Sequence, residues 1–132
     1  MPAMRGIKLV IGLVLVASPA AADQVSVKKL DKSGTYDCAK NNPFVSIGNG
    51  RGTYTFKGEC KMISVGGGQN KLTVEAVDSL EVNGAMNTIT VTTVGTIDVG
   101  GTMNKIAWKK AKTGDKPALR GQPDKNTITQ SK

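Results

Sequence analysis

Short runs in which apolar and polar residues alternate recur along this chain at a fixed interval. Leu72-Thr73-Val74 and Leu80-Glu81-Val82 each read apolar, polar, apolar. A period of two sends the apolar side chains to one face of a strand and the polar ones to the other. The segments at 63–77 (ISVGGGQNKLTVEAV), 80–94 (LEVNGAMNTITVTTV) and 97–111 (IDVGGTMNKIAWKKA) align without a gap. Asn70, Asn87 and Asn104 stand 17 residues apart, as do Gly67, Gly84 and Gly101, and Val65, Val82 and Val99. β-Branched residues dominate the runs, as strands prefer. The glycine-rich links between them suit tight turns and are too short for helices.

Three ungapped copies at one period predict a repeat architecture. The expected fold is all-β: a short parallel β-solenoid in which each 17-residue unit is one rung and rungs stack ~4.8 Å apart. Ile63, Leu80 and Ile97 then form one interior column, Val74, Val91 and Trp108 a second, and Cys60, Val77 and Val94 a third. The pattern extends outward with small insertions. Val45-Ser46-Ile47 precedes Gly52 to Phe56, Val25-Ser26-Val27 precedes Gly34 to Cys38, and Ala118 to Gly121 precedes Asn126 to Gln130. Up to six rungs result, with degenerate outer copies acting as caps. The alternative is a small antiparallel β-sandwich or barrel with hairpins at the Gly-Gly turns; a 17-residue ungapped repeat favours the solenoid.

The chain has 132 residues, enough for one domain. Arg5 and Lys8 precede an apolar stretch from Leu9 to Ala17, and Ala20-Ala21-Ala22 follows. That order predicts a secretory signal peptide over 1–22, with a mature domain at 23–132 and no membrane-spanning segment after processing. Export makes Cys38 and Cys60, the only two cysteines, an expected disulfide. The absence of His excludes Ser-His-Asp and Cys-His nucleophile systems and His-bearing zinc sites. Two cysteines cannot build a tetrahedral thiolate site. GGGQNK at 66–71 is no phosphate loop, because no helix follows it. No cofactor is expected.

The Gly-x-x-Asn-x-hydrophobic-x-hydrophobic units, as in GAMNTITV and GTMNKIAW, stand behind a signal peptide and downstream of a cysteine pair. In this the chain resembles a bacterial family of small exported proteins known only as a domain of unknown function. The resemblance covers 36–129. It implies export and a repetitive β fold, and it brings no activity and no site residues with it.

Candidate sites follow from the columns. Asn70, Asn87, Asn104 and Asn126 read as a structural turn ladder, since stacked amides stabilise parallel arrays. Gly67, Gly84 and Gly101 read as turn glycines with positive φ. Glu81 and Asp98 fall on equivalent outward positions one rung apart, above Ser64 and near Lys61 and Arg120. Like charges so close repel unless a cation or a raised pKa relieves them; the pair reads as a solvated charge ladder, and the functional alternatives are a speculative cation site or an acid/base pair for a polysaccharide. Thr88, Thr90, Thr127 and Thr129 share an outer face that Lys71, Lys105 and Ala107 interrupt, which reads as a β-forming surface choice.

Charge is distributed unevenly. Residues 23–108 carry 9 basic and 8 acidic side chains, and 109–132 carry 7 and 2. The C-terminal end is basic, with Lys109, Lys110 and Lys112 as candidate anion-binding residues; the alternative reading is a solvated, partly disordered tail around Thr113–Pro117. For an exported protein the matching partners are anionic envelope polymers, headgroups or acidic glycans. Few aromatics are available for base stacking, which argues against nucleic acid. The function expected is a non-enzymatic envelope or extracellular binding or structural module. The alternatives are an enzyme acting on acidic polysaccharide and a self-assembling surface protein.

Overall fold

The computed structural model describes residues 26–132. The leader expected at 1–22 lies outside the described residues. Nine strands form one coiled sheet: β1 (Lys28–Leu30), β2 (Gly34–Asp37), β3 (Phe44–Ile47), β4 (Thr53–Val65), β5 (Lys71–Val82), β6 (Thr88–Val99), β7 (Lys105–Ala111), β8 (Ala118–Gly121) and β9 (Thr127–Gln130). A 3-10 turn, Pro123–Lys125, precedes β9. Every pairing between strands is parallel. The fold is therefore a β-solenoid, and the antiparallel alternative does not apply.

Each coil has two flanks. The first stacks β2, 53–57 of β4, 71–75 of β5, 88–92 of β6, β7 and β9; the second stacks β1, β3, 62–65 of β4, 79–82 of β5, 96–99 of β6 and β8. From the first layer to the last the chain makes about five turns. The two runs of each central repeat are not separate strands. β4, β5 and β6 are each 12 or 13 residues long and bend from one flank to the other. The register passes from Val74↔Val91 to Ala76↔Thr93 and from Val77↔Val94 to Ser79↔Thr96 across that bend.

The alternation of the sequence becomes the interior. Leu72, Val74, Val77, Leu80 and Val82 are all at most 1% exposed, as are their counterparts Ile89, Val91, Val94, Ile97 and Val99. Flat aliphatic columns suit this space because each side chain meets its own kind one rung away. The amino-terminal end is closed differently. Tyr36 packs edge-on against Phe56 at 6.1 Å between ring centroids, and Phe56 stacks with Tyr54 at 6.4 Å. The Cys38–Cys60 disulfide, with Cα atoms 5.1 Å apart, ties the turn after β2 into the column of Val77 and Val94. The carboxy-terminal end is more open. Trp108, Ile128 and the half-exposed Leu119 border a notch of about 290 Å³ with Lys116, Pro117 and Gln130.

The outer layer departs from expectation in register. The first run is not at Val25-Ser26-Val27. Val25 lies outside the described residues, Ser26 and Val27 precede the strand, and Lys28–Leu30 pairs with Val45–Ile47 instead. Gly34 pairs with Tyr54 and not with Gly52, which puts Tyr36 on Phe56. The aromatic contact and the disulfide both need this two-residue shift, and they outweigh the match of Gly-Thr-Tyr motifs. The wider repeat between β4 and β5 is absorbed as a bulge between Phe56 and Glu59.

Candidate functional site

The corner between the second flank and the first is built by Gly-rich turns that end on an asparagine. Asn70, Asn87 and Asn104 are 1%, 0% and 0% exposed. Each side-chain oxygen accepts the backbone N–H of the corresponding residue one coil earlier: Gly52 to Asn70, Asn70 to Asn87, Asn87 to Asn104 and Asn104 to Asn126, all at 2.9 Å. Each side-chain amide donates to a turn carbonyl: Asn70 to Asn49, Asn87 to Gly67, Asn104 to Gly84 and Asn126 to Gly101, at 2.8 to 3.0 Å. Asn87 and Asn104 also donate to the amide oxygen of the next asparagine. The ladder stops at Asn126, whose backbone N–H turns back to Pro123 O and whose amide also reaches Gln122 O. Asn70, Asn87 and Asn104, so buried and so bonded, are spent on the fold.

The glycines beside this ladder serve proximity and not positive φ. A Cβ on Gly67 would lie 1.9 Å from Asn49 O, and one on Gly84 or Gly101 would lie 1.7 Å from the carbonyl oxygen of Gly67 or Gly84. Each turn rests directly on the carbonyl of the turn before it. The left-handed positions fall instead on Arg51, Gln69, Met86 and Met103, with φ between 59° and 60°. The expectation of positive φ at Gly67, Gly84 and Gly101 is thus corrected: absence of a side chain serves both purposes, and the sequence does not distinguish them.

Glu81 and Asp98 stand in register on the outside of the second flank, in the row Ser64, Glu81, Asp98, Arg120. The Ser64 hydroxyl donates to Glu81 Oε1 at 3.1 Å. Among the described residues no group of three or more His, Cys, Asp or Glu side chains converges. Lys61 does not join the row; it lies 4.0 Å from Asp78 at the bend.

The three candidate anion-binding lysines are not equivalent. Lys109 and Lys110 are exposed, and neither makes an ion pair among the described residues. Lys112 is engaged. Its ammonium donates to Asp78 and to Glu59, from the other side of Gly95, which stands between Asp78 and Lys112 and has no side chain to block the approach. Bonds to Asp78 first and Glu59 second raise the Lys112 pKa above its ordinary value. Lys112 thus fastens the last turns to β4 and β5. Lys116, beside the notch, and Arg120, in the row of Asp98, are exposed and likewise make no ion pair among the described residues. The threonine face includes Thr35, Thr55, Thr73, Thr90 and Thr129 in one register column, broken by Ala107.

The roles of Asp78 and Glu59, and the left-handed column of Arg51, Gln69, Met86 and Met103, were not identified in the sequence. The spacing of Gln69, Met86 and Met103 at 17 residues was a visible signal; the partners of Lys112 left none, because they lie 34 and 53 residues away.

A family model described as "Protein of unknown function (DUF3060)" matches residues 48–86 and 77–120, more than half of the chain in all. No curated protein and no solved structure matches.

Proposed function

The chain belongs to the DUF3060 family of proteins of unknown function, which leaves its own surfaces to supply a reading, and we propose that it is an exported, non-enzymatic binding or structural module. It acts as a short stiff rod that docks on an anionic envelope polymer or acidic glycan through its basic carboxy-terminal end. The observation that carries this is the charge at that end. Lys109, Lys110, Lys116 and Arg120 are exposed and without ion pairs among the described residues, whereas Lys112 is paired with Asp78 and Glu59. Unpaired cations on one end of a rigid body form a patch that draws polyanions and weakens with salt. The disulfide supports an oxidising compartment. Co-sedimentation of the purified protein with isolated envelope polymer, at low and at high salt, tests the reading.

A further inference from the structure

The residues just before the ladder asparagines form a second column on the same corner. Arg51, Gln69, Met86 and Met103 have left-handed backbone, which favours Gly or Asn and disfavours long side chains. Two of the four are methionines that project into solvent, Met86 43% and Met103 65% exposed. Neither belongs to the core. Gly or Asn would relieve the backbone and remove the exposed apolar surface at once, so the fold does not require methionine here.

Cations surround the pair. Arg51 stands at one end of the column, where its Nε donates to Gln69 Oε1 at 2.8 Å. Lys125 stands at the other end, because Asn126 stacks on Asn104 and Met103 N donates to Lys125 O. Lys71 and Lys105 point outward two residues further along the first flank, on either side of Thr88 in the register. None of these four cations makes an ion pair among the described residues. Met103, Lys105 and Lys125 border a shallow depression of about 410 Å³, together with Asp124, Asn126 and Thr127.

We propose that this corner is a docking ridge for an anionic lipid surface, with Met86 and Met103 entering the acyl boundary and Arg51, Lys71, Lys105 and Lys125 meeting the headgroup phosphates. Apolar side chains rimmed by Lys and Arg are the pattern of interfacial anchors. The flexible thioether adapts to a fluid partner. A glycan would satisfy the cations and leave both methionines in water. A second copy placed face to face would oppose four cations with four. Lys109 and Lys110 lie further along β7 and outside the ridge, and the two methionines take no part in the polymer reading, so the methionine variant tests this inference separately.

The test sediments the purified protein with vesicles of phosphatidylglycerol and phosphatidylethanolamine, and with vesicles of phosphatidylcholine alone. Binding is expected to the first and not to the second. Met86→Asn with Met103→Asn, a pair suited to left-handed backbone, keeps its melting temperature and binds about tenfold more weakly or worse. Lys105→Gln weakens binding about fivefold. Unimpaired binding by the methionine variant would overturn the proposal, reducing the attraction to charge alone. A dimer on a sizing column that the same variant dissolves, without vesicle binding, would also overturn it and give the ridge to a second copy.

Discussion

The backbone N–H of Asn70 donates to Oδ1 of Asn87 one coil further on, at 2.9 Å, while the Asn87 amide reaches back to Gly67 O at 3.0 Å. One side chain thus satisfies a donor and an acceptor of the preceding turn, in a site where water does not reach. Removing it strands both groups, and a buried unsatisfied polar group costs about 1–3 kcal/mol. Asn87→Ala is therefore expected to destabilise the fold by about 3 kcal/mol, measured by urea denaturation. Asn87→Asp adds a sign that can be read. Burial holds that carboxyl's pKa above its unfolded value, so the variant is more stable at acidic pH and loses stability as pH rises past about 4. An Asp variant with the same pH dependence as the parent would contradict the ladder.

Contact between successive turns makes a second prediction. Gly84→Ala drives a methyl group into Gly67 O, whereas a Cβ on Gly48 meets nothing within 4 Å. The first substitution is expected to cost about 4 kcal/mol or abolish folding, and the second to stay within about 0.5 kcal/mol of the parent. Equal thermal stability of the two would contradict the stacking of turns on bare carbonyls.

The disulfide closes a loop of 22 residues at the amino-terminal end. Cys38→Ser with Cys60→Ser is expected to lose about 3 kcal/mol by the loop-entropy estimate. The loss should appear first as faster amide exchange in β2 and the turn after it, where only one neighbouring strand holds the layer. Uniform exchange across β5 and β6 as well would show that the bond supports the whole rod instead of its end.

Lys112 makes a pH-dependent contact in the native fold. Its pKa is raised by Asp78 and Glu59. A raised folded-state pKa gives stability that is fully present below the unfolded value near 10.4 and is lost as pH climbs through the folded value. The melting temperature of Lys112→Gln is therefore expected to lie below the parent's at neutral pH, and the gap is expected to close in strongly alkaline solution. A gap that persists there would assign the effect to packing.

What was legible in the sequence was what repeats. The spacing of Ile63, Leu80 and Ile97, and of Val74, Val91 and Trp108, specifies the parallel register, because a fixed period in a coil makes equivalent residues neighbours. The disulfide followed from there being two cysteines. Register was lost at β1 and β2, where capping by Tyr36, Phe56 and Cys38 replaces the repeat pattern with side-chain packing. The reason for the glycines was misread because a turn needing positive φ and a turn needing close approach both remove Cβ. Lys112 looked like its neighbours because charge alone does not tell a lysine that binds within the fold from one that faces outward.

The most direct test of the proposed function is the affinity of the purified protein for isolated anionic envelope polymer across a salt series, for the parent and for Lys109→Glu with Lys110→Glu. The parent is expected to bind at low salt and to release at high salt, where charges further apart than about 3 Å are screened at 1 M. The reversed pair is expected to lose binding at low salt with an unchanged melting temperature. Equal binding by both proteins, or binding by the parent that ignores salt, would contradict docking through the basic end.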